Sequence, residues 1–225
     1  ARRQRQMCIR DRLVDLPKPT ANEQQPRTRP FWEITRQTTW KVSLLSAALG
    51  YAAMALIMTA TPLSMQAHHH SFSASAFVIQ WHVIAMFMPS FFTGNLIQRF
   101  GGKNIMLVGI GLNLLCILIN TQGQFFLSYW SALILLGVGW NFMFIAGTTL
   151  LTETYRPEEK ALVQGVNDVL VFGAAASGSL LAGVLQNQIG WETLNIVVAP
   201  PLLLLAGWLL WLKRGRGILV QQPIH

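Results

Sequence analysis

Apolar residues run along this chain in six blocks, residues 42–60, 76–97, 104–120, 125–151, 161–186 and 194–212, and polar or glycine-rich breaks separate them. A hydrocarbon core of about 30 Å takes about 20 apolar residues in a helix, so the pattern predicts six membrane-spanning helices. The third block is the shortest. The breaks carry their own turn chemistry: Gly101 and Gly102 after the second block, Gly123 before the fourth, Pro157 ahead of the fifth and Gly190 after it. Pro89 and the Pro200–Pro201 pair are expected to kink the second and sixth spans. Trp40, Trp130, Trp191 and Trp211 fall near predicted ends, where an indole ring suits the headgroup level.

The cations sharpen this picture. All 17 Lys and Arg residues lie in four clusters, at positions 2–41, 99–103, 156–160 and 213–216. The intervening breaks, 61–75, 120–124 and 187–193, hold none. Basic loops stay on the cytoplasmic side, so the expectation is a multi-pass protein with both termini cytoplasmic, in a plasma membrane of the bacterial inner-membrane type. With 52% hydrophobic and 12% charged residues, the composition also points to a bilayer. The net charge of +8 comes mostly from the first 41 residues, which suits an anionic lipid surface and not nucleic acid. Cys8 and Cys116 imply no disulfide framework.

Residues 1–41 differ in kind. Pro17, Pro19, Pro26 and Pro30 among polar side chains read as a cytoplasmic linker. No apolar run precedes Val42, so no signal peptide is expected. A start at Ala1 is that expected of a fragment, and Met7 to Arg12 resembles a translated sequencing adapter. Residues 42–212 form the six-helix unit and 213–225 a cytoplasmic tail. Within the unit, a shift of 89 positions aligns Gly50 with Gly139, Gly94 with Gly183 and Gly101 with Gly190. It also aligns Met54 with Met143, Thr59 with Thr148 and Ser90 with Ser179. A displacement of three spans reverses topology, so the expected fold is an all-α membrane protein built as an inverted 3+3 repeat.

Between the second and third spans the sequence reads Gly94-Asn-Leu96-Ile-Gln98-Arg99-Phe-Gly101-Gly102-Lys103. It resembles the signature loop of the major facilitator superfamily (MFS) at Gly94, Leu96, Arg99, Gly101 and Lys103. Gln98 and Gly102 replace an acid and a base of that pattern. The resemblance covers all six spans and implies helices seven to twelve, one half of an MFS transporter, with the N-terminal six-helix half outside this chain. Gly94 is then expected to allow close helix approach, Gly101 and Gly102 a short inner turn, and Arg99 and Lys103 to hold it at the cytoplasmic face. Glu153 ends the fourth span where the macrodipole disfavours an acid, and the resemblance implies Arg99 as its partner. A solvated loop is the alternative for Glu153.

Polar residues inside the spans are site candidates because burying them in lipid is costly. Asp168, next to Asn167, stands about 12 Å beyond Lys160 along the fifth span. It is a candidate proton carrier or gating contact, against a static packing role. Gln80 and His82 are candidates for the substrate path, yet about 200° apart around a helix, so one of them is expected to pack inward. Asn141 with Tyr51 and Trp140, which the 89-residue shift superposes, would make an apolar pocket with a polar anchor; an interhelical hydrogen bond is the alternative for Asn141. Gly173, Ser177, Gly178 and Gly183 place small residues at helical spacing for close packing.

The histidines at 68–70 lack acidic or thiol companions, so no metal and no cofactor is expected. Six spans would also suit an intramembrane serine protease, but that pattern needs a glycine at Ala175 and a histidine in the last span to activate Ser177, and both are missing. The functional expectation is therefore a non-enzymatic fragment of a secondary active transporter that moves a small organic solute by alternating access. A passive channel or a membrane assembly subunit is the alternative.

Overall fold

A computed structural model describes residues 29–219, with side chains placed as far as Arg214. The expected linker residues 1–28, including the adapter-like stretch, and tail residues 220–225 lie outside the described residues. The described chain is helical: α1 (Phe31–Arg36), α2 (Thr38–Ala67), α3 (Phe72–Phe87), α4 (Ser90–Phe100), α5 (Gly102–Gln122), α6 (Phe126–Leu151) and α7 (Lys160–Leu219). A short 3-10 turn, Pro157–Glu159, leads into α7.

Two of these elements need resolving into spans. The second predicted span is α3 and α4 together, bent by 43° at Pro89, which has no N–H to continue the ladder. A straight α7 would measure about 90 Å, three hydrocarbon thicknesses. Gly190 breaks it with φ 76°, a left-handed value that favours glycine. Beyond the break the chain returns: Lys213 Nζ reaches Asn104 Oδ1 at 3.0 Å, beside the start of α5, the end from which α7 set out. The arms 160–189 and 191–219 are thus the fifth and sixth spans, and the expected loop 187–193 reduces to one residue. Gly101 does the same at the other end, turning α4 into α5 at φ 83°.

α6 is the centre of the bundle. Its small residues admit three neighbours at backbone contact distance: a Cβ on Gly147 would meet Ser43 O of α2 at 2.9 Å, one on Gly139 would meet Gly109 O of α5 at 2.9 Å, and one on Gly137 would meet His82 O of α3 at 2.8 Å. Met106, Ile110, Tyr129, Leu136 and Met143 fill the interior between them. α2 in turn packs on the first arm of α7, where a Cβ on Gly178 would stand 2.7 Å from Ala52 O. The 89-residue shift carries the Ala52–Gly178 pair onto Asn141 and Pro89, and Asn141 does meet the α3–α4 bend. The sixth span closes the outside through Asn120 Nδ2 and Asn195 Oδ1, 2.8 Å apart.

Several expectations are corrected. α2 runs through Pro62 to Ala67 and does not stop at residue 60, because Thr61, Ser64 and Met65 are buried against the bundle and Ser64 Oγ meets Tyr129 Oη at 2.8 Å. Gly94 is exposed with nothing within 4 Å of its would-be Cβ; the close approach in that loop is Gly102 against Leu150 at 2.9 Å. Of the small residues on the fifth span only Gly178 packs closely, while Gly173 faces open space. Trp40 and Trp191 are buried against protein, Trp40 edge-on to Phe31 and Trp191 against Tyr129. Residues 29–41 are folded: α1 seats Ile34, fully buried, in a cluster with Trp40, Leu151 and Val163.

Candidate substrate-path face

Five aromatic rings from four spans meet on one side of the bundle. The Tyr51 ring of α2 stands edge-on to Trp140 (5.2 Å between centroids), to Phe144 (5.6 Å) and to Phe172 (5.6 Å). Trp140 and Phe144 lie parallel at 5.2 Å, and Phe87 of α3 meets Trp140 at 6.2 Å. Each such pair is worth about 0.5–1.5 kcal/mol beyond burial, so the rings hold one another in fixed orientation. The group is open on one side, since Phe87 is 58% and Phe172 52% exposed while Trp140 is buried beneath them. A shelf of this kind offers both edges and faces to a flat ring.

Tyr51 and Trp140 come together as the sequence shift implies. Phe87, Phe144 and Phe172 escape sequence reasoning, although Phe144 follows Trp140 by one helical turn and Phe172 follows Asp168 likewise. That spacing puts Asp168 on the stripe of Phe172, about 6 Å nearer the basic end. Asp168 is exposed, and its Oδ1 accepts from Asn167 Nδ2 at 3.2 Å, while Asn167 itself is buried.

Gln80 and His82 part company as their spacing requires. His82 is fully buried and its Nδ1 donates to Leu133 O of α6 at 2.7 Å, so it fastens α3 to α6. Gln80 is exposed and lines a groove of about 550 Å³ between the ends of α2 and α3, with Pro62, Leu63, Gln66 and Ser75.

Asn141 is not a pocket amide. It is 1% exposed, and its Nδ2 donates to Met86 O (2.7 Å) and Ser90 Oγ (2.6 Å) while its Oδ1 accepts from Thr93 Oγ1 (2.7 Å). The Pro89 bend separates Met86 O from the Ser90 N–H that an unbroken helix would bring to it. Asn141 takes that place, and Thr93 Oγ1 also reaches Pro89 O at 2.8 Å. The residue is the interhelical hydrogen bond, with a bend as its reason.

The expected Arg99–Glu153 pair is not formed. Both side chains are exposed, and the Arg99 guanidinium lies 5.3 Å over the Phe100 ring. Leu96 packs half-buried against the core, Lys103 is half-buried and Gly101 makes the turn. The ion pair at this end joins Arg29 to Glu159, Nη2 to Oε2 at 2.7 Å and Nε to Oε1 at 3.0 Å. Glu159, 4% exposed, also accepts from the backbone N–H of Arg156 (2.9 Å) and of Arg29 (3.1 Å). Arg29 and the Arg156 N–H together pull its carboxyl down to about 2. Arg29 Nη2 and Gln37 Nε2 both donate to Thr154 O, which ties α1 to the α6–α7 turn. The helix dipole draws attention to Glu153; the signal for Glu159 is its place three residues after Arg156, where a carboxylate can reach back to the chain.

At the opposite end His68 Nδ1 lies 2.7 Å from Ser64 O and His70 Nε2 2.9 Å from Gln124 O, so both rings hold loops in place.

Comparison with known proteins agrees with this architecture. The profile described as Major Facilitator Superfamily matches residues 43–220. The riboflavin transporter RfnT of Brucella anthropi is 44% identical over 172 residues, 76% of this chain and 43% of that protein. The MFS-type transporter YdeG of Bacillus subtilis, of uncharacterised activity, is 34% identical over 203 residues, 87% of this chain and 46% of that protein. The tetracenomycin C resistance and export protein of Streptomyces glaucescens is 26% identical over 167 residues, 70% of this chain and 30% of that protein. The chain spans a little under half the length of the first two relatives. Several helices long and apolar enough to cross a bilayer, in an all-α bundle, and a profile match over most of the chain make it a multi-pass membrane protein that belongs to the Major Facilitator Superfamily.

Proposed function

We propose that this chain is the C-terminal six-helix half of a secondary transporter that carries a planar aromatic solute of the flavin class by alternating access. The aromatic shelf carries the reading: four spans bring Tyr51, Trp140, Phe144, Phe172 and Phe87 together on an open face. Flat ring systems bind such surfaces by stacking and edge contacts, and the 44% identical relative is named for riboflavin, whose ring system is flat and tricyclic. An N-terminal half would face the shelf and complete the path, with α2 and α6 lining it and α3–α4 and the first arm of α7 closing it from the sides. Asp168 is exposed one turn from Phe172, and in this reading it would exchange a proton or meet a cation as the halves rock. Residues 1–41 would be the end of the loop joining the two halves, and the basic end would face the cytoplasm of a bacterial cell.

Uptake of labelled riboflavin by a flavin-requiring bacterium that lacks its own carrier, complemented with the complete transporter, tests the reading. Accumulation above the external concentration, collapsed by a protonophore, is expected. Equilibration without accumulation would replace the carrier by a channel. Asp168→Asn is expected to abolish accumulation while leaving exchange of labelled for unlabelled solute, and unchanged coupling removes Asp168 as the carrier. Single cysteines at Gln122 and Gln188 should label from outside intact cells, and those at Arg99 and Glu158 should not; the reverse would invert the orientation.

A further inference from the structure

Helix register joins the aromatic shelf to the groove at the cation-free end. On α2, Pro62 and Gln66 follow Tyr51 by 11 and 15 residues, which returns them to its stripe. On α3, Ala76 and Gln80 precede Phe87 by 11 and seven residues and share its stripe in the same way. Tyr51 and Phe87 both belong to the shelf, and Pro62, Gln66, Ala76 and Gln80 all line the groove of about 550 Å³. Gln80 lies about 10 Å along the helix from Phe87. One face of α3 therefore carries a flat ring near the middle of the spans and the Gln80 amide toward their cation-free end, whereas Gln66 stands about 22 Å along α2 from Tyr51.

Gln66 and Gln80 are exposed, and neither side chain has a hydrogen-bond partner among the described residues. Ser75 adds a hydroxyl to the same wall, and Pro62, Leu63, Phe72, Ala76 and Ile79 supply its apolar part. His70 closes the outer rim, with its Nε2 already engaged by Gln124 O. A glutamine amide offers two donors and an acceptor, which suits neutral hydroxyls that both give and accept. Among the described residues no Lys, Arg, Asp or Glu lines the groove, so a phosphorylated tail would gain no bond there from a fixed charge.

We infer that this groove is a subsite for the neutral polyhydroxylated tail of the solute whose ring lies on the shelf, with Gln80 as its hydrogen-bonding residue. The inference rests on the flavin reading and adds a polarity to it: ring toward the middle of the spans, tail toward the cation-free end. Recognition then has two parts, the tail setting affinity for the intact solute and the ring being bound by both the intact solute and tail-less analogues.

The test uses the complete transporter carrying Gln80→Leu, with Gln80→Ala as the second variant should the leucine lower surface abundance. Riboflavin uptake is measured alongside inhibition of that uptake by lumiflavin, which keeps the ring and lacks the hydroxylated tail. The expected result is a rise of about fivefold in riboflavin KM, from the loss of the neutral hydrogen bonding of one amide, with lumiflavin inhibition unchanged. An unchanged riboflavin KM overturns the subsite, and so does an equal loss for both ligands at normal abundance. Failure of the wild-type transporter to take up riboflavin would instead overturn the flavin reading beneath it.

Discussion

Asn141 gives the sharpest division between a structural and a solute-binding role. Replacing it with leucine keeps the branched four-atom skeleton, with bulkier methyls, and removes three hydrogen bonds, at 2.6, 2.7 and 2.7 Å, from a side chain that is 1% exposed. Side-chain hydrogen bonds in membrane bundles average about 0.6 kcal/mol and reach about 1.7, so the three together contribute about 2 kcal/mol. Thr93 keeps another option, since its single hydroxyl hydrogen can turn from Asn141 Oδ1 to Pro89 O, 2.8 Å away. Met86 O does not, because the helix is broken where its donor would stand, and the loss falls mainly on that carbonyl. The assay is denaturant unfolding of the complete transporter in mixed micelles, in a cycle with Thr93→Val. Asn141→Leu should cost about 2 kcal/mol, and the pair should couple by about 0.5–1 kcal/mol. Its riboflavin KM should stay near wild type once abundance is matched. Unchanged stability with lost solute binding would refute the staple and return Asn141 to the path.

The clasp at the basic end makes a pH prediction. A carboxyl pulled from 4.5 to about 2 contributes stability that is complete above its ordinary range and lost as pH falls toward 2. Protease protection of residues 29–37 should therefore be flat from about pH 5 to pH 8 in the wild type and lost across that range in Glu159→Gln. Gly178→Val must push the first arm of α7 off α2, because its Cβ would stand 2.7 Å from the backbone oxygen of Ala52; a loss of about 1–3 kcal/mol in the same unfolding assay is expected, and wild-type stability would contradict the packing. Tyr51→Phe should preserve riboflavin KM, since the ring makes the three edge contacts, whereas Tyr51→Ala should raise it several-fold. Equal values for the two would take Tyr51 off the shelf.

How much of this is readable in the chain follows from which physical signal each feature leaves. Span number, turn glycines and the Pro89 bend are legible because each is local: apolar length, a left-handed backbone and a missing N–H act on neighbours in sequence. The pairing of Tyr51 with Trp140 is legible through the repeat, which is also a statement about positions and not about faces. Faces are the harder problem. In a soluble helix the polar side marks the solvent, but here lipid, bundle interior and solute path all take apolar residues, so Phe87 and Phe172 look no different from Phe91, which is 90% exposed. Polar residues mislead for the complementary reason. Asn141 and His82 suggest a path because amide and imidazole are costly in lipid, and that cost is met as well by a carbonyl across a helix pair, as Met86 O and Leu133 O show. Glu153 and Glu159 repeat the lesson at the basic end: the acid placed worst for the helix dipole stays in solvent, and the acid that could fold back onto its own backbone is the one buried with an arginine. Exposure beside the rings separates the remaining candidates, because buried polar atoms can also lack a partner, as His82 Nε2 and Asn113 Oδ1 do. Gln80 is exposed on the stripe of Phe87, and for that reason the solute's tail is proposed to sit there and not at the buried amides.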